Sequence, residues 1–99
     1  MEFGIPDLTS EQIERLCVIA EEAARKYLIA NVSNKSIERL DVSIEVEGTK
    51  LVRLEISIDF DLLPTVKGVD VQKLVNEAVK DGFKSAEKYL RELSCHSQK

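Results

Sequence analysis

Leu51-Val52-Arg53-Leu54-Glu55-Ile56-Ser57-Ile58-Asp59-Phe60-Asp61-Leu62 is the stretch that decides the fold. Every even-numbered position in it is apolar, whereas Arg53, Glu55, Ser57, Asp59 and Asp61 are polar. Strand side chains point alternately to opposite faces, so this period of two predicts one long strand with a core face and a water face. Nothing in the stretch carries a catalytic pattern.

The same alternation runs just upstream, with Val42, Ile44 and Val46 against Asp41, Ser43, Glu45 and Glu47. Two such runs separated by Gly48-Thr49-Lys50 predict an antiparallel hairpin. Directly opposed residues share a face, so the apolar sets match only if the connection keeps even positions opposite even ones. A two-residue Gly48-Thr49 loop fails that test. A three-residue connection passes it, setting Val46 opposite Val52, Ile44 opposite Leu54, Val42 opposite Ile56 and Glu45 opposite Arg53 as a charge pair.

Two helical patterns flank the hairpin. Thr9-Ser10-Glu11-Gln12 is a capping box, and Leu8 with Ile13 completes a hydrophobic staple, so a helix is expected from Thr9 or Ser10 to about Ala30. Its apolar face is Ile13, Leu16, Cys17, Ala20, Ala23, Ala24, Tyr27 and Leu28. Asn31 to Arg39 is rich in turn residues, and Ser36 is expected to cap one more helical turn carrying Ile37 and Leu40 inward. Pro64 stops the long strand, and Asp70 caps a second helix, with Val69 and Leu74 as staple, that keeps helical period to Leu93. Gly82 lies inside the apolar face of that helix, where glycine costs about 1 kcal/mol relative to alanine. A close approach to Ala20, Ala23 or Ala24 would account for it.

Residues 1–99 therefore make a single α+β domain: a two-layer sandwich in which an antiparallel hairpin is covered on one face by two helices, in the order (β)αββα. Residues 1–8 form an N-terminal arm, and Phe3 to Ile5 either adds a short third strand or lies against the core or a partner. Residues 94–99 are expected to be a flexible tail.

With 99 residues, a formal net charge of −4 and a sequence pI near 5.0, general affinity for a polyanion is not expected, although a local basic patch remains compatible. Apolar runs are too short for a membrane span and no basic segment followed by an apolar stretch opens the chain, so a cytoplasmic protein without membrane contact is expected. On that expectation the sequon Asn31-Val32-Ser33 is a chance match. Cys17 reads as a core residue; adjacent Cys95 and His96 are a poor metal pair. Both thiols are expected to be free.

Two charged surfaces stand out. Between 41 and 62, six acids oppose only Lys50 and Arg53, a balance equal to the whole net charge. That acidic sheet face is unsuited to RNA, because sheet-based RNA readers place aromatics and cations there. Glu55, Asp59 and Asp61 could hold a hard cation such as Mg²⁺, but exposed carboxylates on a strand are usually only solvated. Lys73, Lys80, Lys84, Lys88 and Arg91 form a basic stripe on the second helix, where Glu77, Asp81, Glu87 and Glu92 stand close enough for salt bridges. The bland reading of that stripe is a salt-bridged exposed helix; the functional one is contact with RNA phosphates or an acidic protein.

No nucleophile has a base nearby in sequence and no glycine-rich phosphate loop is present, so neither an enzyme nor a bound cofactor is expected. Assembly is the stronger expectation. A two-stranded sheet leaves open edges, and an isolated hairpin is marginal. The strand carrying Leu51, Arg53, Glu55, Ser57, Asp59 and Asp61, or its neighbour Asp41 to Glu47, is the candidate edge for pairing with a second copy or a related small subunit.

Gly4-Ile5-Pro6-Asp7-Leu8-Thr9, Ala20-Glu21-Glu22-Ala23-Ala24, Leu40-Asp41-Val42, Glu45-Val46-Glu47-Gly48, Leu74-Val75-Asn76-Glu77-Ala78-Val79 and Glu87-Lys88-Tyr89-Leu90-Arg91-Glu92-Leu93 resemble a family of short archaeal proteins of unknown function. In element order the chain also resembles the small dimerising subunit of the KEOPS complex, which makes threonylcarbamoyladenosine on tRNA; that subunit opens with a full strand where this chain has only Phe3 to Ile5. The second resemblance implies a non-catalytic subunit that dimerises, forming a homodimer or a heterodimer within a larger complex, with tRNA bound by the assembly.

Overall fold

The computed structural model describes residues 2–4, 8–47 and 51–97. The order is β1 (Glu2–Gly4), α1 (Ser10–Asn31), β2 (Ile37–Glu47), β3 (Leu51–Leu62) and α2 (Val71–Ser97), with one 3₁₀ turn at Asn34–Ser36. All strand pairs are antiparallel and the sheet order is β1-β3-β2. The α+β two-layer arrangement is the one the alternation and the two helical periods predict.

Local chemistry sets the ends of α1. The Gln12 amide donates to Thr9 Oγ1 at 3.1 Å and the Thr9 amide to Gln12 Oε1 at 2.9 Å, closing the capping box. Leu16, Ala20, Ala24 and Leu28 then fall on one line and are fully buried. At the other end the Asn31 side chain donates to the Tyr27 carbonyl, satisfying a terminal acceptor.

Beyond α1 the structure departs from the expected turn. Ser33, rather than Ser36, supplies the capping oxygen, accepting from the Lys35 amide at 3.3 Å. The chain is therefore free to enter β2 at Ile37 instead of Asp41. Ile37 and Leu40 do face the core, but from a strand, because Glu38 is an extra residue between the Ile37–Leu62 and Arg39–Asp61 pairs. This bulge switches the odd-numbered Ile37 onto the face of the even-numbered apolar set.

The early start of β2 also corrects the hairpin. Val46 lies opposite Leu54, Ile44 opposite Ile56 and Val42 opposite Ile58, a slide of two residues from the expected pairing. Glu45 consequently faces Glu55, not Arg53. Even still meets even, as the face rule demands. What decides between the two even registers is the far end: the observed one sets Leu40 against Phe60 and Ile37 against Leu62, where the expected one would set Glu38 against Phe60. Apolar burial at about 25 cal/mol per Å² outweighs the few tenths of a kcal/mol in one exposed charge pair. The connection Gly48-Thr49-Lys50 lies outside the described residues.

A third strand is present. Glu2, Phe3 and Gly4 pair with Arg53, Val52 and Leu51, so β3 is flanked on both sides at its start. Ile5 lies outside the described residues. Gly68, at φ 76°, supplies the left-handed residue that turns the chain towards α2. The Lys73 amide donates to Asp70 Oδ1 at 3.1 Å, the expected cap. Val69, assigned to the staple, is 40% exposed. The backbone stays helical to Ser97, four residues past the expected end at Leu93.

Helix α1 lies against β2 and α2 against β3. Their crossing is tight at Gly82: a Cβ built there would sit 2.7 Å from Ile56 Cδ1, 3.2 Å from the Ala20 carbonyl oxygen and 3.8 Å from Ala24 Cβ. The glycine thus answers to Ala20 and Ala24 as expected, and to the sheet beneath as well. On β3, Leu54 and Phe60 are buried; on β2, Leu40, Val42, Ile44 and Val46 all remain half-exposed.

Candidate functional site

Among the described residues, no helix lies on the outer face of the sheet. Arg39, Asp41, Ser43, Glu45 and Glu47 of β2 and Arg53, Glu55, Ser57, Asp59 and Asp61 of β3 are all exposed on it. The register lines up like charges, Asp41 with Asp59 and Glu45 with Glu55. Arg39 relieves the first row: its Nε lies 3.2 Å from Asp41 Oδ2 and a terminal guanidinium nitrogen 3.8 Å from Asp59 Oδ2. The hydrogen bond to Asp41, with Asp59 close by, raises the Arg39 pKa further above its already high value. Arg53 pairs with Glu55 at 3.3 Å along its own strand. Glu45 has no ion pair among the described residues.

Where Asp41 and Asp59 converge, the guanidinium already supplies the positive charge. Glu55, Asp59 and Asp61, the carboxylates considered for Mg²⁺, are strung along one strand at about 3.3 Å per residue, too far apart for a shared coordination shell. Among the described residues no group of three His, Cys, Asp or Glu side chains is placed to hold a metal ion.

The basic stripe occupies the opposite side of the molecule. Lys73, Lys80, Lys84, Lys88 and Arg91 are exposed, while Glu77, Asp81 and Glu87 sit lower on the flanks, half-buried. Lys80 pairs with Glu77 at 3.5 Å and Arg91 with Glu87. Lys73, Lys84 and Lys88 make no ion pair among the described residues. The structure thus brings the cations together on one ridge and answers two of the five with carboxylates.

Cys17 is half-buried, not a fully packed core residue; burial first, then Glu14 and Glu21, push its thiol pKa up. A raised pKa keeps the thiol protonated and poorly nucleophilic at neutral pH. The described surface has shallow depressions, such as one of 360 Å³ at the start of α2 lined by residues that include Tyr27, Asp70 and Lys73. No polar or charged side chain among the described residues is buried. The feature missed in the sequence is Arg39 as a clamp. Its place follows from the Glu38 bulge, and only the run Glu38-Arg39-Leu40-Asp41, polar-polar-apolar-polar, hints at it.

These elements define a small two-layer α+β domain with one bare, acidic sheet face. The chain belongs to the family described as protein of unknown function DUF3194, whose model matches residues 5–89. It is similar to an uncharacterised protein of Thermococcus kodakarensis, 28% identical over 97% of this chain and 88% of that one. A second uncharacterised protein, of Pyrococcus furiosus, is 26% identical over 93% of this chain and 82% of its own length. Among solved structures, a crystal structure from Thermococcus onnurineus NA1 matches with TM-score 0.81 and 27% identity, covering 96% of this chain and 91% of that chain. The solution structure of a hypothetical protein from Methanothermobacter thermautotrophicus shares the fold, with TM-score 0.73 at 23% identity over 91% and 97% of the two chains. The archaeal family expected from the sequence is the family found.

Proposed function

We propose that this protein is a non-catalytic accessory subunit that joins a protein complex through the open edge of its sheet. The observation that carries the reading is the outer edge of β2: eleven residues long, and without a strand partner among the described residues. Such an edge is a template for another chain. β1 reduces the opposite side of the sheet by pairing with β3 only over Leu51–Arg53. Of the two edges the sequence offered, β2 is therefore the one favoured here, being uncovered along its whole length among the described residues. The resemblance in element order to the KEOPS dimerising subunit makes that tRNA-modifying assembly the first to try. Tagged protein incubated with archaeal extract is expected to recover a defined partner, and Arg39→Glu on the β2 edge is expected to weaken recovery. No stable partner, or one indifferent to that change, overturns the proposal.

A second reading has its own observation, the cationic ridge on α2, on which Lys84 and Lys88 make no ion pair among the described residues. Under it the protein binds RNA phosphates directly. A tRNA gel shift that disappears in Lys80→Glu/Lys84→Glu/Lys88→Glu supports it; no shift, or an unchanged one, sinks it.

A further inference from the structure

The β2 edge has enough chemistry on it to name an occupant. We infer, resting on the proposal that this edge docks another chain, that β2 pairs antiparallel with β2 of a second copy, with Val42 opposite Val42 at a two-fold axis and Arg39 of each copy opposite Glu45 of the other. The three-stranded sheet then continues across the axis as β1-β3-β2-β2-β3-β1.

Three features select this arrangement. The first is apolar surface left at that side of the molecule. Leu40, Val42, Ile44 and Val46 face the helices yet none of them is fully buried, whereas β3 one strand further in has Leu54 and Phe60 buried beside half-buried Ile56, Ile58 and Leu62. A second copy brings the same two layers alongside and covers these β2 side chains.

The second is strand face. A shift by one residue would put apolar side chains of one copy on the acidic face of the other, so only registers that keep even opposite even are open. The third is charge, which decides among those. Sliding by two residues one way sets Asp41 against Asp41. The other way sets Asp41 against Glu45, extending the existing Asp59–Asp41 and Glu45–Glu55 rows into four carboxylates side by side. A slide of four residues would place Arg39 opposite Asp41 but draws the bulge at Glu38 into the ladder. The register centred on Val42 uses the regular stretch Arg39 to Glu45, sets Asp41 against Ser43, and gives Glu45 a cation that it lacks among the described residues of its own chain. The carboxylates on this edge thus exclude wrong registers while permitting one.

The test exploits the two-fold symmetry. Arg39→Glu places glutamate against glutamate at both ends of the contact, and Glu45→Arg places arginine against arginine. Each is expected to weaken the dimer measured by sedimentation equilibrium about tenfold. An equimolar mixture of the two single variants recovers wild-type association as a heterodimer, because both pairs are again of opposite sign, and the double variant recovers it as a homodimer with the original net charge. Arg39 is exposed, so circular dichroism is expected to show every variant folded. A wild-type chain that stays monomeric to submillimolar concentration overturns the inference, as does a mixture that fails to associate. A chain monomeric alone but recovered on its β2 edge by a different subunit overturns the self-pairing and leaves the accessory-subunit proposal standing.

Discussion

The crossing at Gly82 and the outer face of the sheet are two sides of the same strands, yet they obey different rules. At the crossing, a single added carbon would meet Ile56, the Ala20 carbonyl and Ala24 at once. On the outer face, whole carboxylates stand opposite one another in water. Packing decides the first because interiors are filled to crystal-like density and have no room to yield. Charge governs the second only weakly, since solvent screens each pair to a fraction of a kcal/mol. The helix face beneath the crossing is therefore constrained residue by residue, while the outer face tolerates opposed charges.

The largest way to break this contrast is to fill the crossing. Gly82→Leu forces a full side chain between α1, α2 and β3 and is expected to cost about 3 kcal/mol in urea denaturation. A cost below about 1 kcal/mol would mean that the helices can part freely. Gly82→Ala is subtler. Alanine favours the helix by about 1 kcal/mol, and its Cβ conflicts mainly with Ile56 Cδ1, at 2.7 Å. We expect the change to destabilise the wild-type chain and to stabilise Ile56→Val, which lacks that atom. The coupling between the two sites is expected to be about 1 kcal/mol or more, and simple additivity would show that Ile56 is not what excludes the methyl group.

The same contrast explains what was legible in the sequence. The strand, the capping box, the Asp70 cap and the Gly82 approach each rest on a periodic pattern or a local hydrogen bond that a few adjacent residues specify. The register and the start of β2 do not. Opposing Glu45 to Arg53 looked favourable, but the structure gave up that pair to keep Phe60 away from Glu38, a choice visible only once the Glu38 bulge is known. Arg39 was missed for the same reason: its partners Asp41 and Asp59 belong to two strands whose alignment depends on the bulge. The lysine ridge was readable because a spacing of four on one helix needs no tertiary information, whereas which strand forms the long outer edge of the sheet could be read only after β1 was seen beside β3.

The smallest effect sharpens the comparison most, because it asks whether the bare face has any energetic structure of its own. Glu55 stands opposite Glu45, and like charges directly opposed on a sheet are destabilising. Glu55→Arg converts that pair to an attractive one at the expense of the exposed Arg53–Glu55 contact, which is worth little. A net stabilisation of about 0.5 kcal/mol is expected at low ionic strength. It should fade near 1 M salt, where the screening length falls to about 3 Å. Glu92→Arg, on the exposed side of α2, makes the same change in net charge without touching the sheet and serves as the control. If both changes stabilise equally, the effect is the overall charge of the protein and the opposed carboxylates are fully solvated. If only Glu55→Arg does, the natural chain keeps a repulsive row on this face at the expense of its own stability. The cation supplied opposite Glu45 by a second β2 edge would then be a reason for that row to exist.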